Sequence, residues 1–156
     1  MHHGSILTPL GWINVEASDW SVFGIYFTAH PHEQQSDHPL VIEAIVQLTA
    51  YFDGTLNEFK LPVDPPGTAF QRQVWEEVAR IPFGQTISYA KLAQKMGDEN
   101  KVRAVAAANA ANPLAVVVPC HRVIGSNGQL TGYAWGLEKK DWLLHHESHR
   151  EQLSLF

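Results

Sequence analysis

The stretch Leu61-Pro62-Val63-Asp64-Pro65-Pro66-Gly67 decides how this chain is organised. Proline lacks a backbone N–H and its ring blocks the preceding turn, so this run forms neither a helix interior nor a central strand. The chain is therefore divided into residues 1–65 and 66–156, within the length of one domain or one domain with a small appendage. Before the break, Trp20 to Phe27 is rich in β-branched and aromatic residues and is expected to be a strand, with Gly11–Ala17 as its partner. Val41 to Phe52 places Ile42, Ile45, Val46 and Thr49 on one helical face, and Gly54 follows as a stop. Strands followed by a helix make a small α+β unit.

Beyond the break the pattern is helical. Thr68 is placed to cap a helix carrying Phe70, Val74, Val78 and Ile81, ended by Pro82-Phe83-Gly84. Ser88 caps a second, with Leu92, Ala93 and Met96 inward and Gly97 as stop. Asn100 is expected to cap a third, Lys101 to Ala111, ended by Asn112-Pro113. The short turn between the second and third reads as a helix-turn-helix. The third is rich in alanine, which suits close approach to another surface and is also the best helix former. A last helix is expected over residues 138–148, with Trp142, Leu143 and His146 near one face.

Composition narrows the function classes. Apolar residues make up 45% and charged residues 17%, which excludes a disordered chain and a coiled coil. No apolar run reaches the ~18 residues of a membrane span. Met1-His2-His3-Gly4-Ser5 has neither Lys nor Arg, so it reads as no secretory signal; a cloning remnant is one reading of it. The net charge of −5 is unevenly spread. Residues 1–69 hold one base against eight acids, and residues 70–156 ten bases against eight acids. A negatively charged partner is thus expected for the second part alone, with ordinary surface scatter as the alternative. The single cysteine, Cys120, excludes an intrachain disulfide and a Cys-rich zinc site, and fits a reducing, cytoplasmic compartment. It sits in Val118-Pro119-Cys120-His121-Arg122-Val123, where His and Arg are able to stabilise a thiolate. Neighbours on an extended chain point apart, so Cys120 and His121 need a tight turn or a bridging water to communicate.

These residues carry a resemblance. Asn112-Pro113, Val118 to Ile124, Gly128, Gly132-Tyr133, Gly136-Leu137, Lys140, Leu143-Leu144 and Glu147 resemble the active-site signature of the O6-alkylguanine-DNA alkyltransferases, or methylated-DNA–protein-cysteine methyltransferases. The likeness runs back through Phe70 to Trp75, Ile81 to Gly84, Ile87 to Ala93 and Arg103-Ala104-Val105, and covers residues 66–148 strongly. It implies a ribonuclease-H-like N-terminal domain and a winged-helix-like C-terminal domain bearing the site. It also implies one irreversible transfer of an alkyl group from guanine O6, less readily from O4-methylthymine, to the protein's own cysteine. Matched residue by residue, Cys120 is the nucleophile, His121 its base through a water, and Glu147 orients His121. Asn112 braces the turn. Tyr89 faces the base, the Val123 carbonyl reads the exocyclic amine, and Tyr133, Ala134 and Trp135 line the pocket. Arg103 fills the space left by a flipped nucleotide, and Ser88, Asn100, Ala104 and Ala107 meet DNA in its minor groove.

Alone, His121 also reads as a polar loop residue, Glu147 as a solvated acid and Asn112 as a simple helix C-cap. Ala134 replaces a serine frequent in the family, and Trp135 and Ala115 replace a Gly and a Pro of some members; Trp135 is expected to narrow the pocket against O6-benzylguanine. Some members hold zinc through Cys and His, but His2, His3, His30, His32 and His38 have no cysteine partner, so no metal is expected and no cofactor is implied. The expected partner is double-stranded DNA carrying O6-alkylguanine, met by a monomer away from membranes. The rivals are a Cys-His acyl hydrolase with multiple turnover and a lesion-binding module, whose cysteine would be replaced.

Overall fold

The computed structural model describes residues 1–128 and 130–154, with side chains as far as Ser148. It is α+β and divides into two compact units, Met1–Pro66 with Pro113–Val117, and Gly67–Asn112 with Val118 onward.

The first unit is an antiparallel sheet of β1 (His2–Thr8), β2 (Gly11–Ala17) and β3 (Val22–Thr28), in that order, with α1 (Pro39–Asp53). The first strand was not expected from the sequence. His2 pairs with Ala17 and His3 with Glu16, so His2–Thr8 forms an edge strand. A turn at Pro9-Leu10 joins β1 to β2, held by Thr8 Oγ1, which accepts from Leu10 N–H and donates to the Gly11 carbonyl. Alternation puts Ile13, Val15, Ala17 and Ile25 on one face, fully buried along with Val41, Ala44, Leu48 and Tyr51 of α1. Glycine is required at position 4, because a Cβ there would collide with Val41 and Ile45 of α1. The helix starts where His38 Nδ1 accepts from Leu40 N–H and ends at Gly54, whose φ of 89° is left-handed.

Pro113–Val117 joins this unit, which a single cut at residue 65 does not provide for. The Ile25 N–H donates to the Pro113 carbonyl and the Ala115 N–H to the Ile25 carbonyl, both at 2.9 Å, so the segment extends the sheet beside β3. Leu114, Ala115 and Val116 are buried, and Val116 holds a φ of 70°. That conformation is costly for a β-branched residue.

The second unit contains α2 (Ala69–Ala79), β4 (Ile87–Ser88), α3 (Tyr89–Lys95), α4 (Val102–Ala110), β5 (Val123–Ile124) and α5 (Leu137–Ser154). Thr68 and Gln71 form a reciprocal capping box on α2, an arrangement worth ~1 kcal/mol. Trp75 anchors α2 to α4 by donating from Nε1 to the buried Ala108 carbonyl at 2.8 Å. Between α3 and α4 the cap differs from expectation. Asp98, not Asn100, accepts a backbone N–H and starts a short 3-10 turn, Glu99–Lys101, and α4 begins without a side-chain cap. The parallel pair β4–β5 matches Ile87 with Val123 and Ser88 with Ile124, tying the start of α3 to the residues just past Cys120. The buried face of α5 is Lys140, Leu143 and Glu147, spaced i, i+3, i+7. Trp142 and His146, expected near one face with Leu143, are half-buried and stack on each other at 4.8 Å.

Candidate active site

Cys120, His121 and Arg122 form one 3-10 turn after Pro119, and all three are buried. In such a turn neighbouring side chains fan out about the axis instead of alternating, and His121 Nδ1 makes no direct hydrogen bond to Cys120 Sγ. Asn112, just past α4, braces it. Its Nδ2 donates to the Val118 carbonyl at 2.9 Å and to Cys120 Sγ at 3.2 Å. Asn109 adds a bond from Nδ2 to the Cys120 carbonyl at 3.3 Å. Asn112 thus does more than cap a helix: it offers the sulfur an N–H.

Cys120 is 2% exposed, and burial pushes the thiol up to about 11, against the opposing pull of the Asn112 donor and the Lys140 charge. This corrects one sequence-based expectation. His121 and Arg122 do not stabilise a thiolate, because both are committed to Glu147. His121 Nε2 lies 2.7 Å from Glu147 Oε2. Arg122 donates to both carboxylate oxygens, from Nε at 2.8 Å and Nη2 at 3.0 Å, and from Nη1 to the Ile81 carbonyl at 2.6 Å. Burial works to raise the Glu147 carboxyl, but His121 and Arg122 outweigh it and hold the group far below the usual carboxylate range. An ionised Glu147 only accepts, so the proton of His121 belongs on Nε2 and the Nδ1 lone pair is free. That Nδ1 is buried and without a hydrogen-bond partner, Cys120 Sγ included. Burial lowers the imidazole's affinity for a second proton. The group is a neutral base with its acceptor nitrogen uncommitted.

Lys140 is a participant that the sequence reading used only as a motif position. Its amine is fully buried and donates to the carbonyls of Val123 at 2.7 Å, Thr131 at 2.8 Å and Gly132 at 3.0 Å. Burial lowers it to about 8. Asn109 also went unassigned. The signal was present for Lys140 and Glu147: charged residues standing on the apolar stripe of the last helix.

Around this centre, Tyr89 is half-buried and its hydroxyl donates to the Thr131 carbonyl at 3.0 Å. Burial and the nearby sulfur both raise its pKa. Tyr133 has a buried hydroxyl without a partner and a pKa raised well above normal, by burial first and then by Cys120 and Glu147. Its ring meets Trp135 edge-on at 5.4 Å, while Ala134 is exposed in a turn closed by Gly136 N–H on the Tyr133 carbonyl. Val123 is buried, with its carbonyl on Lys140. The expected DNA-facing residues are not part of this cluster. Arg103, Ala104 and Ala107 are exposed on the outer side of α4, whose inner side buries Val105, Ala108 and Asn109. Asn100 is exposed in the preceding turn, and Ser88 is half-buried, its Oγ accepting from Lys91 N–H at the start of α3.

Comparison with known proteins points the same way. The family model for the DNA-binding domain of 6-O-methylguanine DNA methyltransferase matches residues 69–149. A methylated-DNA–protein-cysteine methyltransferase of Mycobacterium leprae is 50% identical over 153 residues, covering 98% of this chain and 87% of that protein. The crystal structure of an O6-methylguanine methyltransferase of Mycobacterium tuberculosis aligns with a TM-score of 0.86 at 38% identity, over 99% of this chain and 98% of that one. A crystal structure of Mycobacterium tuberculosis OGT in complex with DNA aligns with a TM-score of 0.87 at 38% identity, over 96% and 94% of the two chains. A helix-turn-helix, a single cysteine braced by asparagine, a histidine held by a buried glutamate and this degree of likeness lead to one conclusion: the chain belongs to the methylated-DNA–protein-cysteine methyltransferase family.

Proposed function

We propose that this protein repairs duplex DNA by direct reversal, moving the alkyl group of O6-alkylguanine, and less readily of O4-methylthymine, to Cys120 once per chain. It acts in the cytoplasm, as a monomer. The observation that carries the reading is the pairing of a buried thiol with an adjacent neutral imidazole whose Nδ1 is uncommitted.

The chemistry is a displacement at carbon. The Cys120 sulfur forms the new S–C bond while the bond from that carbon to guanine O6 breaks, and guanine leaves with the electron pair. A thiol held near 11 is ionised in about one molecule in ten thousand at pH 7, so a resting thiolate contributes little. The proton must leave as the bond forms. His121 Nδ1 takes it through a water, and the imidazolium that results is stabilised by Glu147 at 2.7 Å. The departing guanine needs a proton or a hydrogen bond. Tyr89 supplies it, exchanging its bond to the Thr131 carbonyl for the base. Lys140 holds the carbonyls of Val123, Thr131 and Gly132 in place around the pocket and adds positive charge near the sulfur.

Reaching O6 requires the nucleotide to leave the stack, at a cost of a few kcal/mol. Arg103 fills the gap, and the small side chains of Ala104 and Ala107 let α4 approach the minor-groove floor. Asn100, within the 3-10 turn, and Ser88, at the start of α3, contact the DNA. With a radiolabelled methylated duplex in excess, transfer should plateau at one methyl per protein chain. Continued release of product beyond one equivalent would replace this reading with that of a Cys-His hydrolase.

A further inference from the structure

The repair chemistry makes no use of a second polar cluster, in the first unit. His3, Glu16 and His32 each present one donor atom, all within 4.8 Å of one another. His3 and Glu16 are direct cross-strand partners in β1 and β2, so their side chains leave the same face of the sheet, the one opposite α1. His32 reaches that face from the loop after β3. Two features set the cluster apart from a chance grouping of surface residues.

The first is that His3 Nδ1 and His32 Nε2 are both buried without a hydrogen-bond partner. Two imidazole nitrogens left so, with the rings 4.5 Å apart, are an uncompensated arrangement unless something binds them. The nearest anionic oxygen, Glu16 Oε1, stands 4.0 Å from His32 Nε2, too far for a hydrogen bond. The second is that the loop is pinned in place. His32 N–H donates to Ser5 Oγ at 2.8 Å, Ser5 Oγ donates to Asn14 Oδ1 at 2.7 Å, and Ser36 N–H donates to the His3 carbonyl at 2.8 Å. Gln35 accepts from Ser5 N–H at 2.6 Å and donates to the His32 carbonyl at 2.9 Å. Glu16 is itself oriented by the Tyr26 hydroxyl, which donates to Oε1 at 2.8 Å. A ligating carboxylate held by an outer hydrogen bond is the usual arrangement around a metal.

We propose that His3, Glu16 and His32 bind a divalent cation of the zinc class. Two imidazoles and one carboxylate are the borderline donor set that zinc accepts, with water completing a tetrahedron. Donors at ~2.0–2.1 Å from zinc stand ~3.4 Å apart, so the site closes by roughly 1 Å on binding. Such an ion would tie β1, β2 and the 29–37 loop together. The neighbouring set His2, Asp19 and His38 is a poorer candidate: His2 Nε2 is already bonded to Asp19 at 2.7 Å, the Asp19 side chain is 71% exposed, and His38 Nδ1 caps α1.

The test is calorimetric titration of the chelator-treated full chain with zinc, with cobalt as a coloured substitute. One equivalent should bind, with tetrahedral cobalt absorption and a raised Tm. His32→Ala and the near-isosteric Glu16→Gln should weaken binding at least a hundredfold, while Asp19→Asn changes it less than threefold. Circular dichroism of each metal-free variant checks that it remains folded. Absence of binding in the unsubstituted chain, or binding that survives Glu16→Gln but fails in Asp19→Asn, overturns the proposal.

Discussion

Replacing Glu147 by Gln keeps the shape of the side chain and removes its charge. In the second unit this carboxylate accepts from His121 at 2.7 Å, from Arg122 at 2.8 and 3.0 Å, and from Gly84 N–H at 3.5 Å, with only 1% exposure. An amide offers one acceptor oxygen and turns an NH2 toward a donor, leaving Arg122 buried beside an uncharged partner. Breaking a buried ion pair from one side costs about 3–5 kcal/mol. At 2–4 °C per kcal/mol for a chain of this length, Tm should fall by about 10 °C. The chemistry should suffer separately. The imidazolium formed during transfer loses a charged hydrogen bond worth about 1.5–3 kcal/mol, so the single-turnover rate should fall by about ten- to a hundredfold. The acid dependence has a definite sign. Because the folded-state pKa of Glu147 is depressed, its stabilisation is full above the unfolded value of ~4.3 and fades as pH drops toward the folded value. The Tm gap between the two proteins should therefore be constant from pH 5 to 8 and narrow below pH 4. A Tm change under 2 °C together with an unchanged transfer rate would refute the reasoning.

Other outcomes follow from the same geometry. Alkylation of Cys120 in DNA-free protein by a small soft electrophile should still be rising tenfold per pH unit at pH 9, since burial holds the thiol near 11; saturation by pH 8 would contradict that. Asn112→Ala removes the donor to Sγ and to the Val118 carbonyl, and should cost about 1–3 kcal/mol in denaturant titration and at least tenfold in transfer rate. Trp135→Gly removes the ring packed edge-on against Tyr133, and should speed inactivation by free O6-benzylguanine at least tenfold, read as lost transfer to methylated DNA; an unchanged inactivation rate would contradict the expected narrowing by Trp135.

The helices were legible because their signals are local. Thr68 with Gln71, Ser88 with Lys91 and Gly54 after Asp53 are caps whose partners lie within a few residues. The small strands were not. The pair β4–β5 is two residues long and joins positions 36 apart, so no periodicity announces it. The first strand was obscured because its histidines resemble an appended tag, and only pairing with Glu16 and Ala17 explains them. The cap of α4 shows local competition: Asp98 and Asn100 both suit the role, and the carboxylate two residues earlier takes the N–H of Asn100 itself. Within the cluster, Cys120, His121, Asn112 and Glu147 are the residues the motif named, and the structure places them together. What the sequence did not reveal was the direction of the charges. Arg122 sits close to Cys120 in the chain yet spends its guanidinium on Glu147, while the positive charge that acts on the thiol comes from Lys140, twenty residues on. Lys140 and Glu147 stand out as charges on the apolar stripe of the last helix, but why they are buried is intelligible only once their partners are known.

The central claim is that one buried sulfur captures the alkyl carbon of a damaged base and keeps it. Peptide mapping by mass spectrometry after mixing with a methylated duplex tests this directly. The account predicts that the peptide containing Cys120 gains the mass of one CH2 in step with loss of O6-methylguanine, and that every other peptide is unchanged. Repair with an unmodified Cys120 would contradict it.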